Sequence, residues 1–285
     1  MSATISFTKM SGSGNDFILV DNRHAVVPPE SAPELARVIC RRKVSVGADG
    51  LILIENDSEV DFSWSFFNAG GSTAEMCGNG ARCAARFAHL LGICGSRLAF
   101  RTLAGVIRAE VLDRRVKVQL TAPRHLRLDE LLELDGRRVA TQAVNTGVPH
   151  AVLLLDEERE LEDHDVVGQG RRVRFHDQFA PAGTNVNFVA VVGPHSLAVR
   201  TYERGVEDET LACGTGATAA ALVAAAKGLV EPPVTIHTRG GEILTIHFRA
   251  GSEQLPNEVY IEGEVTVVYQ GRLWREALGT LALPG

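Results

Sequence analysis

The sequence predicts an α+β fold in two similar halves that arose by duplication of one unit. The segment Cys77-Gly78-Asn79-Gly80-Ala81 returns 136 residues later as Cys213-Gly214-Thr215-Gly216-Ala217. Before each copy lie short runs rich in β-branched and aromatic residues, and an Ala-rich helical run follows it. We therefore expect two pseudo-symmetric domains, each a strand-rich wrap around a central helix that starts at a cysteine.

The repeat extends beyond the two cysteine motifs. Three more pairs of landmarks keep nearly the same separation: Gly47 and Gly183 at 136 residues, Asn68 and Glu203 at 135, and Gly14 and Gly147 at 133. Chance similarity explains any one pair, but it is a poor explanation for an ordered series. The order of landmarks therefore indicates a duplicated unit.

Each unit has predicted strands, and each central helix is predicted to stop at a glycine, Gly92 or Gly228. The predicted strands are Ile5–Lys9, Asp16–Asp21, Gly50–Glu55, Val60–Asn68, Arg97–Ala109, Arg115–Thr121, Thr235–Thr238, Glu242–Arg249 and a strand-like segment, Asn257–Gly271. Turns are predicted at Asp113-Arg114 and Gly240-Gly241. We expect a first domain of residues 1–121, to which the tail 270–285 returns, and a second domain of residues 122–269.

Composition excludes several classes of function. The 285 residues are 45% hydrophobic and 22% charged, as in ordinary globular proteins, and the net charge of −6 does not favour binding to nucleic acid. No apolar run is long enough for a membrane span, and Met1–Met10 lacks the core of a signal peptide. Five irregularly spaced cysteines indicate a reducing compartment, the cytoplasm, and their spacing predicts no metal site.

A cysteine at a helix start has a chemical use. The first turn leaves backbone N–H groups unpaired and carries about half a positive charge, so it binds anions and favours a thiolate. We expect this to lower the thiol pKa from its usual value of about 8.5, which would make the cysteine a base near neutral pH. The alternative is a pair of buried, Ala-packed helices with core cysteines. Two matching copies favour a function, in which one anion lies between two thiols.

Several longer motifs carry a resemblance to a known family. They are Lys9–Phe17, Phe67–Ser72, Glu75–Cys83, Gly147–His150, Tyr202–Gly205 and Glu209–Gly216. Together they resemble the diaminopimelate epimerase family from residue 5 to about residue 271. The resemblance implies a cofactor-independent enzyme that interconverts LL- and meso-diaminopimelate for lysine and peptidoglycan synthesis. It also implies that Cys77 and Cys213 are the acid and base, one as thiolate and one as thiol, and that the enzyme is a homodimer.

The resemblance also implies roles for other residues. His150 and Glu203 would poise the thiols, and Arg204 would clamp the distal carboxylate of the substrate with its planar guanidinium. Asn15, Asn68, Asn185 and Glu203 would contact the diamino acid. Amides of Gly78, Asn79, Gly214 and Thr215 would stabilise charge on the reacting carboxylate. Structural alternatives are turn formation for the asparagines, a surface ion pair for Arg204 and a satisfied structural role for His150.

Two departures from the family pattern bear on substrate choice. Val148 stands where much of the family has asparagine, and the loop Val206-Glu207-Asp208 is one residue longer than in many relatives. One alternative function is a related two-thiol racemase of another amino acid, such as histidine or hydroxyproline, without the distal clamp. Others are an isomerase of the phenazine-biosynthesis type or a non-catalytic protein, which would lack one or both cysteines, and a redox-sensing dithiol protein.

Overall fold

A computed structural model describes residues 5–249, 255–278 and 281 of the chain. Its strands are β1 Ile5–Gly12, β2 Asn15–Asp21, β3 Gly50–Glu55, β4 Phe62–Asn68, β5 Arg97–Thr102, β6 Gly105–Leu112, β7 Arg115–Gln119, β8 Arg124–Leu134, β9 Arg137–Asn145, β10 Pro149–Leu155, β11 Asn185–Gly193, β12 Ser196–Glu203, β13 Asp208–Thr210, β14 Val234–Thr238, β15 Ile243–Phe248, β16 Val259–Glu264 and β17 Thr266–Leu273. Its α-helices are α1 Ala32–Ile39, α2 Gly78–Leu90, α3 Glu158–Glu162, α4 Val166–Arg174 and α5 Gly214–Ala226. Short 3-10 turns lie at Asp177–Phe179 and Arg275–Leu278. The predicted strand-dominated α+β class is confirmed.

The chain divides into two compact units, Met1–Val118 with Gly263–Gly285 and Gln119–Glu262. In the first unit, β1 pairs antiparallel with β2 and β17, and β2 runs parallel to β3. Strand β3 pairs antiparallel with β4, which runs parallel to β5. Helix α2 packs against β1, β2, β3 and β6, so strands lie around it as predicted.

The second unit repeats this arrangement around α5. Strand β10 runs parallel to β11, β11 pairs antiparallel with β12, and β12 runs parallel to β14. Helix α5 packs against β9, β10, β11, β12, β14 and β15, and it is buried from Gly216 to Ala224. The Ala-rich sequence permits this, because a helix enclosed on all sides needs small side chains where strands approach closely.

Strand registers show which positions correspond in the two units. Phe17 pairs with Gly50 in the first unit, as His150 pairs with Asn185 in the second. Ile52 pairs with Phe66, as Asn187 pairs with Thr201. Ile52 and Asn187 are 135 residues apart, one fewer than the separation of Gly47 and Gly183. The first unit therefore has one extra residue between its glycine turn and β3.

Several elements were not expected from the sequence. Helices α1, α3 and α4 and the hairpin of β8 and β9 lie in segments for which no element was predicted. The predicted strand 97–109 is interrupted by a turn at Leu103-Ala104, and the predicted strand 257–271 is two strands that part at Val265. Helix α1 has eight residues and buries Ala32, Leu35, Ala36 and Ile39 on one face, so tertiary packing rather than length stabilises it.

Helices α2 and α5 end at the glycines that the sequence predicted. Helix α2 ends before Gly92 and α5 before Gly228, and both glycines have positive φ, +70° and +69°. At the C-terminus, β17 pairs with β1, and residues 279–280 and 282–285 of the predicted returning tail lie outside the described residues. In the described ranges, no helix is long and apolar enough to cross a membrane.

Helix α4 positions the end of β12 through a close contact at Gly170. A methyl group at Gly170 would lie 2.5 Å from Cβ of Tyr202, which cannot move without moving the backbone before Glu203. We predict that Gly170→Ala lowers the free energy of unfolding by about 1–3 kcal/mol, although alanine has the higher helix propensity. Chemical denaturation measures this loss.

The matched control is Gly193→Ala in β11, where the nearest atom to an added Cβ is 3.9 Å away. We expect this variant to be as stable as the wild type or slightly more stable, because alanine restricts the unfolded chain. Equal stability of the two variants would contradict the packing assigned to Gly170.

Candidate active site

Each motif cysteine is the N-cap of its helix. Cys77 has extended backbone angles, and its Sγ accepts a hydrogen bond from the Gly80 amide at 3.5 Å. Cys213 repeats the arrangement, and its Sγ accepts from the Gly216 amide at 3.4 Å. Sulfur here takes the place of the side-chain oxygen that usually caps a helix. Both thiols therefore lie at the positive end of a helix dipole.

The amides of Gly78, Asn79, Gly214 and Thr215 belong to the first turns of α2 and α5. Groups at these positions have no acceptor within their own helix. The Thr215 carbonyl accepts a hydrogen bond from Thr146 at 3.0 Å, and the Gly214 carbonyl accepts one from Thr218 at 2.9 Å. These bonds hold the first turn of α5, so its amides keep a fixed direction.

The expectation of a lowered thiol pKa is wrong for Cys213. Burial raises the pKa of this thiol to about 11, and the nearby Glu203 carboxylate adds to the rise. Hydrogen bonds from Thr215 and Gly216 act in the opposite direction but are the smaller effects. Desolvation therefore outweighs the helix start, and Cys213 is protonated at neutral pH.

In the first unit, a series of side-chain hydrogen bonds leads away from the start of α2. The Asn79 side chain donates to Oδ1 of Asn15 at 2.7 Å, and Asn15 donates to Oδ2 of Asp49 at 2.9 Å. Asp49 in turn forms a salt bridge of 2.8 Å with Arg42. Asn15 and Asn79 thus lie together beside the Cys77 helix, and the charged pair behind them fixes their orientation.

Arg82, in the second turn of α2, is a buried cation whose side chain contacts the start of that helix. The sequence did not reveal this role. It has no exposed surface, and it donates to Oδ1 of Asn79 at 2.9 Å, to the Gly78 carbonyl at 3.4 Å and to the Ser13 hydroxyl. The available signal was a charged residue among the small residues of an otherwise buried helix. Its charge adds to the positive potential at the Cys77 end of α2.

Asn68 lies at the end of β4 and is exposed. Its side chain donates to the Ser72 hydroxyl at 3.0 Å, and its carbonyl accepts from Gly71 at 2.8 Å. These bonds close a turn in the Asn-Ala-Gly-Gly-Ser segment, which is the structural role considered for the asparagines. Among the described residues, the hydrogen bonds of Asn68 do not include Asn15 or Asn79.

In the second unit, Asn185 joins two loops. It is buried, accepts a hydrogen bond from the Arg204 amide at 2.8 Å and donates to the Pro149 carbonyl at 3.1 Å. The Arg204 guanidinium donates to the Ala182 carbonyl at 3.2 Å. Within the described ranges it forms no salt bridge, so the alternative of a surface ion pair is not seen.

Glu203 and His150 both have shifted pKa values. Burial raises the pKa of the Glu203 carboxyl. Burial also lowers the pKa of His150 to about 3, with the nearby positive charge of Arg204 as the second cause. Perturbed groups of this kind collect at functional sites. The second unit therefore holds two interacting pairs, Cys213 with Glu203 and His150 with Arg204.

The longer loop before β13 is held by Glu207. This residue has a positive φ of +60°, and its carboxylate accepts from the Gly205 amide at 3.0 Å and from Arg174 at 3.1 Å. The Tyr202 hydroxyl donates to its other oxygen at 3.1 Å. The loop that follows Arg204 is thus fixed to the body of the second unit.

Val148 presents only an aliphatic side chain, and its carbonyl accepts from the Thr146 amide at 3.2 Å. Its neighbour Gly147 donates to the Asn145 side chain at 2.9 Å. Among the described residues, no cluster of three or more His, Cys, Asp or Glu side chains is arranged to hold a metal ion.

Comparison with known proteins identifies the family of this chain. The family model described as diaminopimelate epimerase matches residues 7–126 and 142–268. A curated protein named diaminopimelate epimerase from Aquifex aeolicus is 50% identical, and the match covers 96% of this chain and 99% of that protein.

Two solved structures share the fold at low sequence identity. A phenazine biosynthesis protein of the PhzF family from Bacillus anthracis has a TM-score of 0.70 at 14% identity and covers 95% of this chain and 99% of its own. A probable proline racemase from Agrobacterium radiobacter has a TM-score of 0.66 at 13% identity and covers 96% of both chains. The family match and the close relative together decide the assignment: this chain belongs to the diaminopimelate epimerase family.

Proposed function

We propose that this chain interconverts LL- and meso-diaminopimelate by a two-cysteine acid/base mechanism, without a cofactor, in lysine and peptidoglycan biosynthesis. The observation that carries the proposal is the pair of thiols, Cys77 and Cys213, each capping a helix in its own unit. Family membership supports the substrate and the reaction type. Inversion at one carbon needs a base on one face and an acid on the other, and two equivalent thiols supply both.

In the proposed reaction, the thiolate of one cysteine removes the α-proton and the thiol of the other delivers a proton to the opposite face. The raised pKa of Cys213 supports its role as the proton donor in the resting enzyme. The mechanism needs a thiolate as the partner, and we assign that role to Cys77. After one turnover the two thiols have exchanged protonation states, and the reverse reaction restores them. Net proton balance is zero in each direction.

The electron pair left by the α-proton moves onto the substrate carboxylate. We propose that the first-turn amides of Gly78, Asn79, Gly214 and Thr215 bind this carboxylate and stabilise the added charge. Fixed amides lose no orientational freedom when the charge appears, so they stabilise the transition state more than water does. The buried positive charge of Arg82 also favours negative charge at the start of α2.

Glu203 and His150 are proposed to poise the thiols. Glu203 raises the pKa of Cys213, so its carboxylate favours the protonated donor form. As the Cys213 proton leaves, the neutral form of Glu203 becomes more favourable, because burial already raises its pKa.

The far end of the substrate is proposed to contact Asn15, Asn68, Asn185, Glu203 and Arg204. The guanidinium of Arg204 forms no salt bridge in the described chain, and a substrate carboxylate would supply its missing anion. Val148 offers no side-chain hydrogen bond at the position where asparagine is frequent in the family. Arg204 therefore provides a larger share of the binding of the distal carboxylate in this chain.

We extend the proposal to a homodimer in the cytoplasm. None of the five cysteines, all of which lie in the described ranges, forms a disulfide, which suits a reducing compartment. Three large apolar side chains of β17 and the residue after it are exposed: Val268 by 53%, Tyr269 by 44% and Trp274 by 71%. Apolar side chains concentrated on one short segment favour association with another protein surface.

We predict that Cys77→Ala and Cys213→Ala each reduce epimerisation of LL-diaminopimelate by at least about 1,000-fold, because each removes one partner of the proton transfer. Chiral chromatography of the meso product, without added pyridoxal phosphate or metal, measures the rate. The matched control is Cys94→Ala, a half-buried thiol outside both motifs, which should retain wild-type turnover.

Substantial turnover by either motif variant would exclude the two-thiol mechanism. Wild-type protein that leaves diaminopimelate unchanged but epimerises histidine or hydroxyproline would instead establish the related racemase. The guanidinium of Arg204, which has no carboxylate partner in the described chain, favours the dicarboxylic substrate over these alternatives.

For Arg204→Lys, we predict an increase in KM of about tenfold or more with a smaller change in kcat. Lysine keeps the charge but cannot form two parallel hydrogen bonds with a carboxylate. Steady-state kinetics with LL-diaminopimelate test this. Arg172→Lys, at an exposed ion pair with Asp135, is the control and should leave KM unchanged. An unchanged KM for Arg204→Lys would argue against the clamp.

Alkylation of Cys213 should report its raised pKa. In the Cys77→Ala background, we expect its reaction with iodoacetamide to accelerate about tenfold per pH unit from pH 7 to 10, because only the thiolate reacts. Glu203→Gln removes the neighbouring negative charge, so it should lower the pKa and accelerate the reaction at pH 8. Mass spectrometry of the Cys213 peptide follows both. A rate that levels off below pH 9 would contradict the raised pKa.

A further inference from the structure

A polar group of three side chains lies beneath α5 in the second unit. The Asn187 side chain donates to Nδ1 of His150 at 3.1 Å and to the Ala151 carbonyl at 3.0 Å. The Thr201 hydroxyl donates to Oδ1 of Asn187 at 3.0 Å. His150, Asn187 and Thr201 are 1%, 0% and 3% exposed.

The first unit has apolar side chains at the corresponding positions. By strand register, His150, Asn187 and Thr201 correspond to Phe17, Ile52 and Phe66. Phe17 and Phe66 contact each other edge to face, with ring centroids 5.9 Å apart.

The third residue of each helix is a glycine, and it faces Ile52 in the first unit and Asn187 in the second. A methyl group at Gly80 would lie 3.2 Å from Ile52, whereas one at Gly216 would collide with Oδ1 of Asn187. The duplicated fold therefore packs well with hydrophobic residues here. A buried polar group at this place in one unit alone calls for a reason other than folding.

The hydrogen bonds fix which atoms of Asn187 face which neighbours. A backbone carbonyl can only accept, so the atom that faces the Ala151 carbonyl must be the amide nitrogen of Asn187. The same nitrogen faces Nδ1 of His150, and the Thr201 hydroxyl supplies the donor for the amide oxygen. Nδ1 of His150 must therefore accept a hydrogen bond.

A neutral imidazole whose Nδ1 accepts carries its hydrogen on Nε2. His150 is neutral at physiological pH, because burial and the charge of Arg204 lower its pKa to about 3. Nε2 of His150 is itself buried and has no hydrogen-bond partner in the described chain. An unpartnered buried N–H costs about 1–3 kcal/mol unless an acceptor arrives.

We propose that Asn187 is a positioning residue that holds His150 in the Nε2–H tautomer, so that His150 meets an anionic group of the active site as a hydrogen-bond donor. This rests on the proposed function, in which a thiolate and a substrate carboxylate both carry negative charge. His150 then stabilises an anion through Nε2–H and does not accept a proton at that atom. Thr201 supports the arrangement by fixing the oxygen of Asn187.

The direct test is the tautomeric state of His150 in the ligand-free protein. Two-bond proton–nitrogen correlation spectra of ¹⁵N-histidine-labelled protein distinguish the two neutral tautomers and the imidazolium, and His150→Gln assigns the signal. We expect the Nε2–H pattern, unchanged from about pH 5 to about pH 9. An Nδ1–H pattern or an imidazolium at pH 7 would overturn the proposal.

Asn187→Asp tests the positioning role. A carboxylate can only accept, so it should draw the hydrogen to Nδ1 of His150, remove the donor at Nε2 and lower kcat about 100-fold with a smaller change in KM. Wild-type kcat in a variant with the Nδ1–H pattern would contradict the role assigned to the tautomer. Asn187→Ile copies the residue of the first unit and should fold while losing turnover.

The matched control is Asn22→Asp, the same chemical change at a buried asparagine of the first unit that bonds to Val27 and to the Glu55 carboxylate. It should leave the spectrum of His150 and kcat unchanged. The spectra require no substrate, so they separate this inference from the proposed function. Wild-type protein with the expected tautomer but without epimerase activity would refute the function alone.

Discussion

The hydrogen bond from a helix amide to a cysteine sulfur is the interaction on which the rest of the arrangement depends. It ties Cys77 to Gly80 and Cys213 to Gly216, so each thiol remains at the first turn of its helix. The amide donor is a glycine in both helices: a methyl group at Gly216 would collide with Oδ1 of Asn187, and one at Gly80 would lie 3.2 Å from Ile52. The strands that surround α2 and α5 then exclude water from both helices. The cap, the glycine and the enclosing strands together hold each thiol at the start of its helix.

Burial and the amides of the helix start act in opposite directions on the pKa of the Cys213 thiol, and their balance sets its protonation state. At Cys213, desolvation and Glu203 favour the thiol more strongly than the first-turn amides favour the thiolate. A protonated cysteine is what a two-base mechanism requires on the donating side. The two units reach similar helix starts with different surroundings, since α2 itself carries a buried arginine, whereas a histidine and an asparagine lie beneath α5. Duplicated helix starts can thus lie in different electrostatic surroundings.

The sequence predicted features that depend on local signals and missed those that depend on tertiary packing. The cysteine-started helices and their terminal glycines follow from propensity and capping, and both were confirmed. The predicted direction of the Cys213 pKa shift was wrong, because the motif reveals the helix start but not the burial that raises the pKa. Asn187 sits between Val186 and Phe188 in an ordinary strand pattern, so only its register against His150 and Thr201 reveals a network. The roles of Asn15, Asn68 and Arg204 toward a substrate stay predictions.

The central claim is that two thiols act on opposite faces of one α-carbon, and hydrogen isotope distribution tests it most directly. Proton NMR would follow LL-diaminopimelate and freshly reduced protein in deuterated water during the first few per cent of conversion. A two-thiol mechanism predicts deuterium at the inverted carbon of the meso product, while the remaining LL substrate keeps its α-hydrogen. Product that retains the original hydrogen, or deuterium that enters substrate and product equally fast, would contradict it and indicate a single base.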